Sequence, residues 1–130
     1  YLAYPPRGGN PDPQVAVGEQ LFDEIGCSIC HIPSMEGTDG PVPLYSDLLL
    51  HDIHPDDFRG MGEDGAAVGF YRTPPLWGIR DTAPYLHDGR ATTLEDAILA
   101  HEDEASIMMR DYFALTAEEK EALILFLSDL

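Results

Sequence analysis

The stretch "EIGCSICHIP", residues 24 to 33, constrains the fold of this chain more than any other. It holds the chain's two cysteines, Cys27 and Cys30, and His31 follows directly. C-x-x-C-H is the attachment pattern of c-type haem, in which two thiols bind one edge of the porphyrin and the histidine binds the iron. A zinc site needs two further ligands, and a thioredoxin-like dithiol needs a βαβ context. One covalent haem c is therefore the prediction, with zinc and a redox dithiol as the alternatives.

The segment before this motif has a marked helix start. Residues 1–13 are rich in Pro and Gly and predict no regular structure, as in a linker or a mature N-terminal extension. Asp12 followed by Pro13 suits a cap and a first helical position, and Gly26 suits the end of the helix. We therefore take residues 14–130 as a single mono-haem cytochrome c domain.

Two further helices are predicted near the C-terminus. "TTLEDAILAHEDEA" opens with a capping box formed by Thr92 and Glu95, and "TAEEKEALILFLSDL" repeats that spacing. The second helix carries an apolar stripe, which comprises Leu123, Phe126, Leu127 and Leu130.

Between these helices, residues 32–75 are interrupted by Gly and Pro, and only "SDLLLHDI" suggests a short helix. A loop this long in a small domain is typically functional or wrapped around a ligand. No alternating pattern indicates a strand. The predicted fold class is all-α, a cytochrome c-like domain with long loops around one covalently bound haem.

Charge limits the partners of the chain. It has 24 acidic and 7 basic residues among 130, a formal net charge of -17. Phosphate groups would be repelled, which argues against nucleic acid and anionic membranes as partners. Membrane insertion is not expected, because no apolar run approaches the roughly 18 residues of a span. A redox protein with a basic docking face is the kind of partner that this charge favours.

The second axial ligand of the iron is predicted from periodicity. Leu94, Ala97, Ile98 and His101 recur at helical spacing, so they share one apolar face that should contact the haem. A histidine on such a face is more often a core residue, but a nearby iron makes His101 the preferred ligand. Met61, in a Gly-rich loop, is the alternative.

The run "YRTPPLWGIRDTAPYLHDGRATTLEDAILAH", residues 71–101, together with "LYSDLLLHD", resembles the C-terminal haem domain of the bacterial di-haem cytochrome c peroxidase superfamily. It is most similar to the thiol-oxidoreductase-like di-haem proteins, over roughly residues 14–130. In that superfamily a distal Met or Tyr stands fourteen residues after the turn histidine, here His87. The matching position is His101, so the resemblance implies the same ligand as the periodicity.

The resemblance also implies roles for residues around the haem. His87 would lie near a haem propionate, with a turn histidine bonded to the backbone as the alternative. Arg72 or Arg80 could pair with a propionate or simply with surface acids. Trp77 is expected to pack against the haem. The family's calcium site would use positions 82 and 84 of this chain, and little or no calcium binding is expected. His51 and His54, three apart among acids, are interpreted as solvated loop residues rather than a surface metal site.

The hypothesis from sequence is low-potential electron transfer by a bis-histidine haem, as a module of a larger exported redox protein. His101 departs from the Met of the peroxidases, and a six-coordinate iron has no open site for peroxide. An oxidase, a secreted copper monooxygenase or dioxygen would suit a low-potential donor. A peroxidase or oxygen-reducing enzyme, and a haem-based gas sensor, are the alternatives. Haem attachment predicts the periplasm or the extracellular surface of a Gram-negative bacterium.

Overall fold

A computed structural model describes residues 5–54, 60, 62 and 64–130. Within these residues there are four α-helices, four strands and three 3-10 turns. The helices are α1 (Pro13–Glu24), α2 (Leu94–Leu99), α3 (Ser106–Ala114) and α4 (Ala117–Asp129). The strands are β1 (Met35–Gly37), β2 (Gly40–Val42), β3 (Leu50–Asp52) and β4 (Phe70–Arg72), and the 3-10 turns are Cys27–Ile29, Ile79–Asp81 and Asp103–Ala105.

The strands make the all-α prediction wrong, because they form two antiparallel two-stranded sheets, β1–β2 and β3–β4. The fold is a mixed one. Each strand has only three residues, too few to display the period-two alternation by which a strand is recognised. In "SDLLLHDI" the predicted short helix is also wrong, because β3 occupies its end and pairs with β4 in the register Leu50↔Arg72.

The core is built on the contact between the first and last helices. α1 and α4 approach so closely that a side chain on Gly18 would overlap the backbone carbonyl of Ala122. Phe22 and Phe126 meet edge to face beside this contact, with ring centroids 5.3 Å apart. The predicted apolar stripe of the last helix is confirmed as buried core. Each such side chain contributes about 1.5–3 kcal/mol of burial free energy.

Helix ends follow the sequence signals closely but not everywhere. Asp12 caps α1, with its carboxylate accepting the Gln14 N–H at 2.9 Å, and the Thr116–Glu119 capping box opens α4, both as predicted. For α2 the predicted box is displaced by one residue. The box is formed by Thr93 and Asp96, because Thr93 holds the extended backbone that a cap requires. α2 ends at Leu99, two residues before His101.

The residues before α1 contain no helix or strand from residue 5 onward, as predicted, but they are held against the C-terminal end of α4. The side chain of Arg7 and the backbone N–H of Asn10 donate to the buried carboxylate of Asp129 at 3.2 and 2.7 Å. Whether residues 1–13 are a linker or an extension stays a prediction. Among the described residues no helix is both long and apolar enough to span a membrane.

Candidate haem site

One large cavity, of about 570 Å³, lies between the helices and the β3–β4 sheet. Its wall is mainly apolar, and α1, α2, α3 and α4 all contribute to it. The histidines of the chain all line it, and they are His31, His51, His54, His87 and His101. Cofactor pockets in proteins have volumes of about 300–1,000 Å³ and a few polar groups in an apolar wall. The cavity has both properties.

His31 is held in place by the loop that follows the cysteine motif. Its Nδ1–H donates to the backbone carbonyl of Tyr45 at 2.9 Å, and its ring lies 6.3 Å from that of Phe22. Tyr45 has a φ of 53°, in the left-handed region that non-glycine residues seldom adopt. Burial lowers the pKa of His31 to about 4, so its imidazole is neutral. With Nδ1 protonated, Nε2 carries the lone pair that a metal requires.

His101 has the same arrangement on a different element. Its Nδ1–H donates to the carbonyl of Ala97 at 2.8 Å, one turn back along α2. Burial lowers the pKa of this histidine too, so it is neutral and Nε2 is again the basic atom. His31 and His101 line the same cavity. The structure therefore presents two neutral imidazoles, each fixed through Nδ1, to one cavity.

The cysteines lie on the same wall and are not joined in a disulfide. Burial raises the pKa of Cys27 to about 12, and burial together with the charges of Asp47 and Glu104 raises that of Cys30. Redox dithiols and zinc ligands require a thiolate, which a lowered pKa favours. The raised pKa values weigh against the dithiol alternative.

His51 joins two acidic side chains across the cavity rim. Its Nε2 lies 2.8 Å from an oxygen of Asp47 and its Nδ1 lies 2.8 Å from one of Glu104. Cys30 lies within 4.8 Å of the Asp47 and His51 donor atoms, which makes a three-ligand group. A cysteine used for haem attachment would not serve that group as a thiolate. Hydrogen bonds to both acids raise the pKa of His51, as expected for an imidazolium between two carboxylates.

His54, Tyr71 and His87 form an aromatic group on another part of the wall. Tyr71 and His87 stack at 4.1 Å between centroids with an angle of 15°, and His54 meets Tyr71 edge to face at 5.3 Å. Burial lowers the pKa of His54, while a hydrogen bond with the backbone of Ala100 acts in the opposite sense. The interpretation of His51 and His54 as solvated loop residues is wrong, since His54 is 4% exposed and His51 is held between carboxylates.

Eight of the nine residues predicted to bind the cofactor line this cavity: Cys27, Cys30, His31, Arg72, His87, Leu94, Ile98 and His101. The ninth, Trp77, does not; it lines a separate cavity of about 110 Å³ with Tyr45 and Leu130. The sequence around Trp77 has no periodic pattern that would orient its side chain. Arg80 contacts Asp129 and Asp81 instead of the cavity. Met61 lies outside the described residues.

Other residues of the wall escaped prediction from sequence. Met108 and Met109 come from α3. This helix is short and begins immediately after the 3-10 turn Asp103–Ala105, so its apolar pattern is difficult to recognise in the sequence. Thr82 and Pro84, predicted only for a calcium site, also lie in the wall.

These observations test whether haem fits the chain. The apolar wall suits a porphyrin, the two anchored imidazoles suit an iron, and the paired cysteines suit covalent attachment. Arg72 and His87 supply polar groups suited to carboxylates. The residues therefore fit the group, and the fold and site define a haem-binding redox domain.

The comparisons with known proteins agree with this class. The model of the family described as "Di-haem oxidoreductase, putative peroxidase" matches residues 1–130, and the chain belongs to that family. A comparison with curated proteins finds no match. A chain in the structure of Kuenenia stuttgartiensis hydrazine synthase, pressurised with xenon, has a similar fold, with a TM-score of 0.65 at 23% identity. The match covers 100% of this chain and 51% of that one, so the present chain spans about half its length.

Proposed function

We propose that this domain transfers single electrons through one covalently bound c-type haem whose iron is held by His31 and His101. The observation that carries the proposal is the matched pair of neutral imidazoles, each with Nδ1–H donated to a backbone carbonyl and Nε2 left basic. When bound, the haem supplies a reversible one-electron change at its iron. The protein residues hold that group, exclude water from it and set its potential.

Each part of the wall has a separate task in this proposal. Cys27 and Cys30 would form the two thioether bonds, and His31, which follows them, would bind the iron. The hydrogen bonds to Tyr45 and Ala97 fix the tautomers and orientations of the two imidazoles, as outer hydrogen-bond partners do at metal sites. Rigid ligands limit the rearrangement that accompanies a change of oxidation state.

A low reduction potential follows from the ligands and the charge. Methionine ligation raises the potential of a haem, whereas a second imidazole donates more strongly to ferric iron. A net charge of -17 also favours the more positive, oxidised state of the group. We propose on this basis that the domain is a donor to an oxidase, a secreted copper enzyme or dioxygen. The periplasm or the cell surface is the proposed location, since attachment to C-x-x-C-H takes place there.

A redox titration followed by visible absorbance tests this function. The oxidised and reduced forms of the haem-loaded protein should interconvert reversibly as a one-electron couple. His101→Met should raise the midpoint potential, whereas Met108→Leu, a matched change in the same wall, should leave it nearly unchanged. A midpoint unaffected by His101→Met would contradict the ligand assignment, and irreversible reduction would contradict electron transfer.

Peroxide reduction is the second candidate, favoured by the family description and by one feature of the cavity. His54, Tyr71 and His87 place groups that could donate protons on its wall, and Arg72 adds a positively charged hydrogen-bond donor. His101 would then have to leave the iron before peroxide could bind. His101→Ala should therefore increase peroxide consumption well above the wild-type rate. Rapid consumption by the wild-type protein would favour this candidate over electron transfer.

A further inference from the structure

Two large apolar side chains stand exposed beside the cysteine motif. Ile29, inside the motif, and Ile107, in the first turn of α3, are each 65% exposed. Ile29 and Met108 come together over Gly26, where an added Cβ would lie 3.3 Å from a carbon of each. Gly26 has a φ of 90° and no side chain to keep them apart. Ile107 precedes Met108 in the sequence of α3. We call Ile29, Met108 and this neighbouring Ile107 the motif face.

The motif face adjoins the wall that holds the cysteines, since Ile29 lies within the motif and Met108 belongs to both. Gly26, Cys27 and Met108 also line the large cavity. A haem attached through these cysteines would have its thioether edge directly behind the face. This step rests on the function proposed above. An exposed apolar surface at the edge of a redox group is suited to close contact with a partner.

Acidic side chains lie next to both segments of the motif face. Asp23 accepts a hydrogen bond from the Ser28 hydroxyl at 2.5 Å, which fixes its carboxylate beside the motif. Asp103 and Glu104 lie in the turn that leads into α3. Arg110, the basic residue of α3, forms an ion pair with Asp111 at 2.9 Å.

The cations elsewhere in the described residues are engaged in a similar way. Arg7, Arg80 and Arg90 form ion pairs, Lys120 lies 5.0 Å from the Tyr112 ring centroid, and Arg72 lines the cavity. The rim of the motif face therefore keeps a negative charge.

We propose that the motif face is the docking site for a redox protein whose own electron-transfer edge is apolar and ringed by Lys or Arg. Charge complementarity selects this occupant. A second copy of the chain would bring another net charge of -17 to the contact and would be repelled. The apolar centre would exclude water between the two redox groups, and the acidic rim would steer the approach.

Stopped-flow oxidation of the reduced, haem-loaded protein tests the proposal. The protein probe is a basic mono-haem cytochrome c, and the small probe is hexaammineruthenium(III), a cation too small to need the whole face. Ile29→Ser with Ile107→Ser, and separately Asp23→Asn with Asp103→Asn, should each slow the protein probe roughly tenfold at low ionic strength. The rate with the small probe should change by less than about twofold in the apolar variant.

Matched controls use residues that are not part of the motif face. Phe113→Ser removes another apolar side chain of α3, 61% exposed, and Glu118→Gln with Glu121→Gln removes two charges from the solvent side of α4. These variants should leave the rate with the protein probe within about twofold of wild type. Calorimetric titration of the two oxidised proteins should show the same ranking of affinities, with a steep decline on adding salt.

Three outcomes would overturn the docking proposal. They are equal slowing by the control variants, no slowing by the motif-face variants, and self-association through the face detected by sedimentation. If electron exchange with the small probe proceeds while any of these is observed, electron transfer survives and docking alone fails. If the small probe cannot oxidise the protein either, the proposed function itself fails.

Discussion

The Nδ1 of His51 lies 2.8 Å from a carboxylate oxygen of Glu104, three residues beyond His101. The other oxygen of Glu104 accepts the backbone N–H of Asp52 at 3.2 Å. On its second nitrogen His51 bonds Asp47, whose backbone N–H donates to the carbonyl of Cys30 at 2.8 Å. One imidazolium thus links the segment that follows the cysteine motif to the turn that follows the proposed distal ligand.

The first prediction concerns the pH dependence of stability. Hydrogen bonds to Glu104 and Asp47 raise the pKa of His51 above its ordinary value of 6.5. The stabilisation is fully present below the unfolded pKa and is lost as pH rises through the folded one. The free energy of unfolding, measured with urea, should therefore decrease by about 1 kcal/mol as the pH rises from 6 to 9 or so.

His51→Gln should remove most of this decrease, whereas Glu118→Gln, on an exposed helix position, should preserve it. The pKa values of Asp47 and Glu104 are lowered, so their contribution should disappear as pH falls below their ordinary values of 3.8 and 4.5. An unchanged alkaline slope in His51→Gln would show that this imidazolium does not stabilise the fold.

A second prediction concerns the support of His101 by its short helix. Thr93→Ala removes the hydroxyl that accepts the Asp96 N–H at 3.0 Å and should cost about 1 kcal/mol of stability. Because Ala97 holds His101, a frayed α2 should also loosen the ligand. Carbon monoxide should then bind the reduced Thr93→Ala variant faster than it binds the reduced wild-type protein, as measured by flash photolysis.

Thr116→Ala is the matched control, since it removes the equivalent cap of α4. It should cost a similar free energy of unfolding and leave carbon monoxide binding unchanged. Equal acceleration in both variants would mean that global stability, and not α2, controls the ligand.

The third prediction concerns the contact between α1 and α4. Gly18→Ala would force its methyl group against the Ala122 carbonyl, so the helices must separate and Phe126 must shift. We expect a loss of about 2–3 kcal/mol in urea unfolding. Gly9→Ala places its methyl group in open space at a φ of 67° and should cost only about 1 kcal/mol. Similar losses in both variants would contradict the close packing.

The fourth prediction concerns the bonds to the haem. Mass spectrometry of the denatured wild-type protein, expressed with a c-type maturation system, should show the mass of the chain plus one haem. Cys27→Ser and Cys30→Ser should each leave a single thioether bond, and the double variant should release its haem into acidified organic solvent. Retention of haem by the denatured double variant would rule out attachment through these two cysteines.

Much of the site could be read from the sequence because its signals are local. A five-residue motif fixes Cys27, Cys30 and His31, and a helical period places Leu94 and Ile98 on the cavity side. The same period places His101 on the cavity side although α2 ends at Leu99, and its role as an iron ligand stays a prediction. Its side chain returns to the carbonyl of Ala97, four residues back, and so keeps the direction that a longer helix would have given it.

The parts that escaped prediction depend on contacts between distant residues. β3 ends at Asp52 and β4 begins at Phe70, so their pairing joins segments that are distant in sequence, and three-residue strands carry no readable alternation. His51 looked like a solvated loop residue because its partner Glu104 is 53 residues away. Trp77 lines its separate cavity together with Tyr45 and Leu130, and no local pattern encodes that arrangement of distant residues.

Axial ligation by His31 and His101 is the central claim, and electron paramagnetic resonance at low temperature with near-infrared magnetic circular dichroism tests it most directly. The oxidised protein should give a low-spin signature of two imidazoles, and His101→Met should convert it to a histidine–methionine signature. A native histidine–methionine signature would contradict the assignment and favour Met61. A high-spin ferric signal would mean an open iron, and peroxide reduction would become the better account.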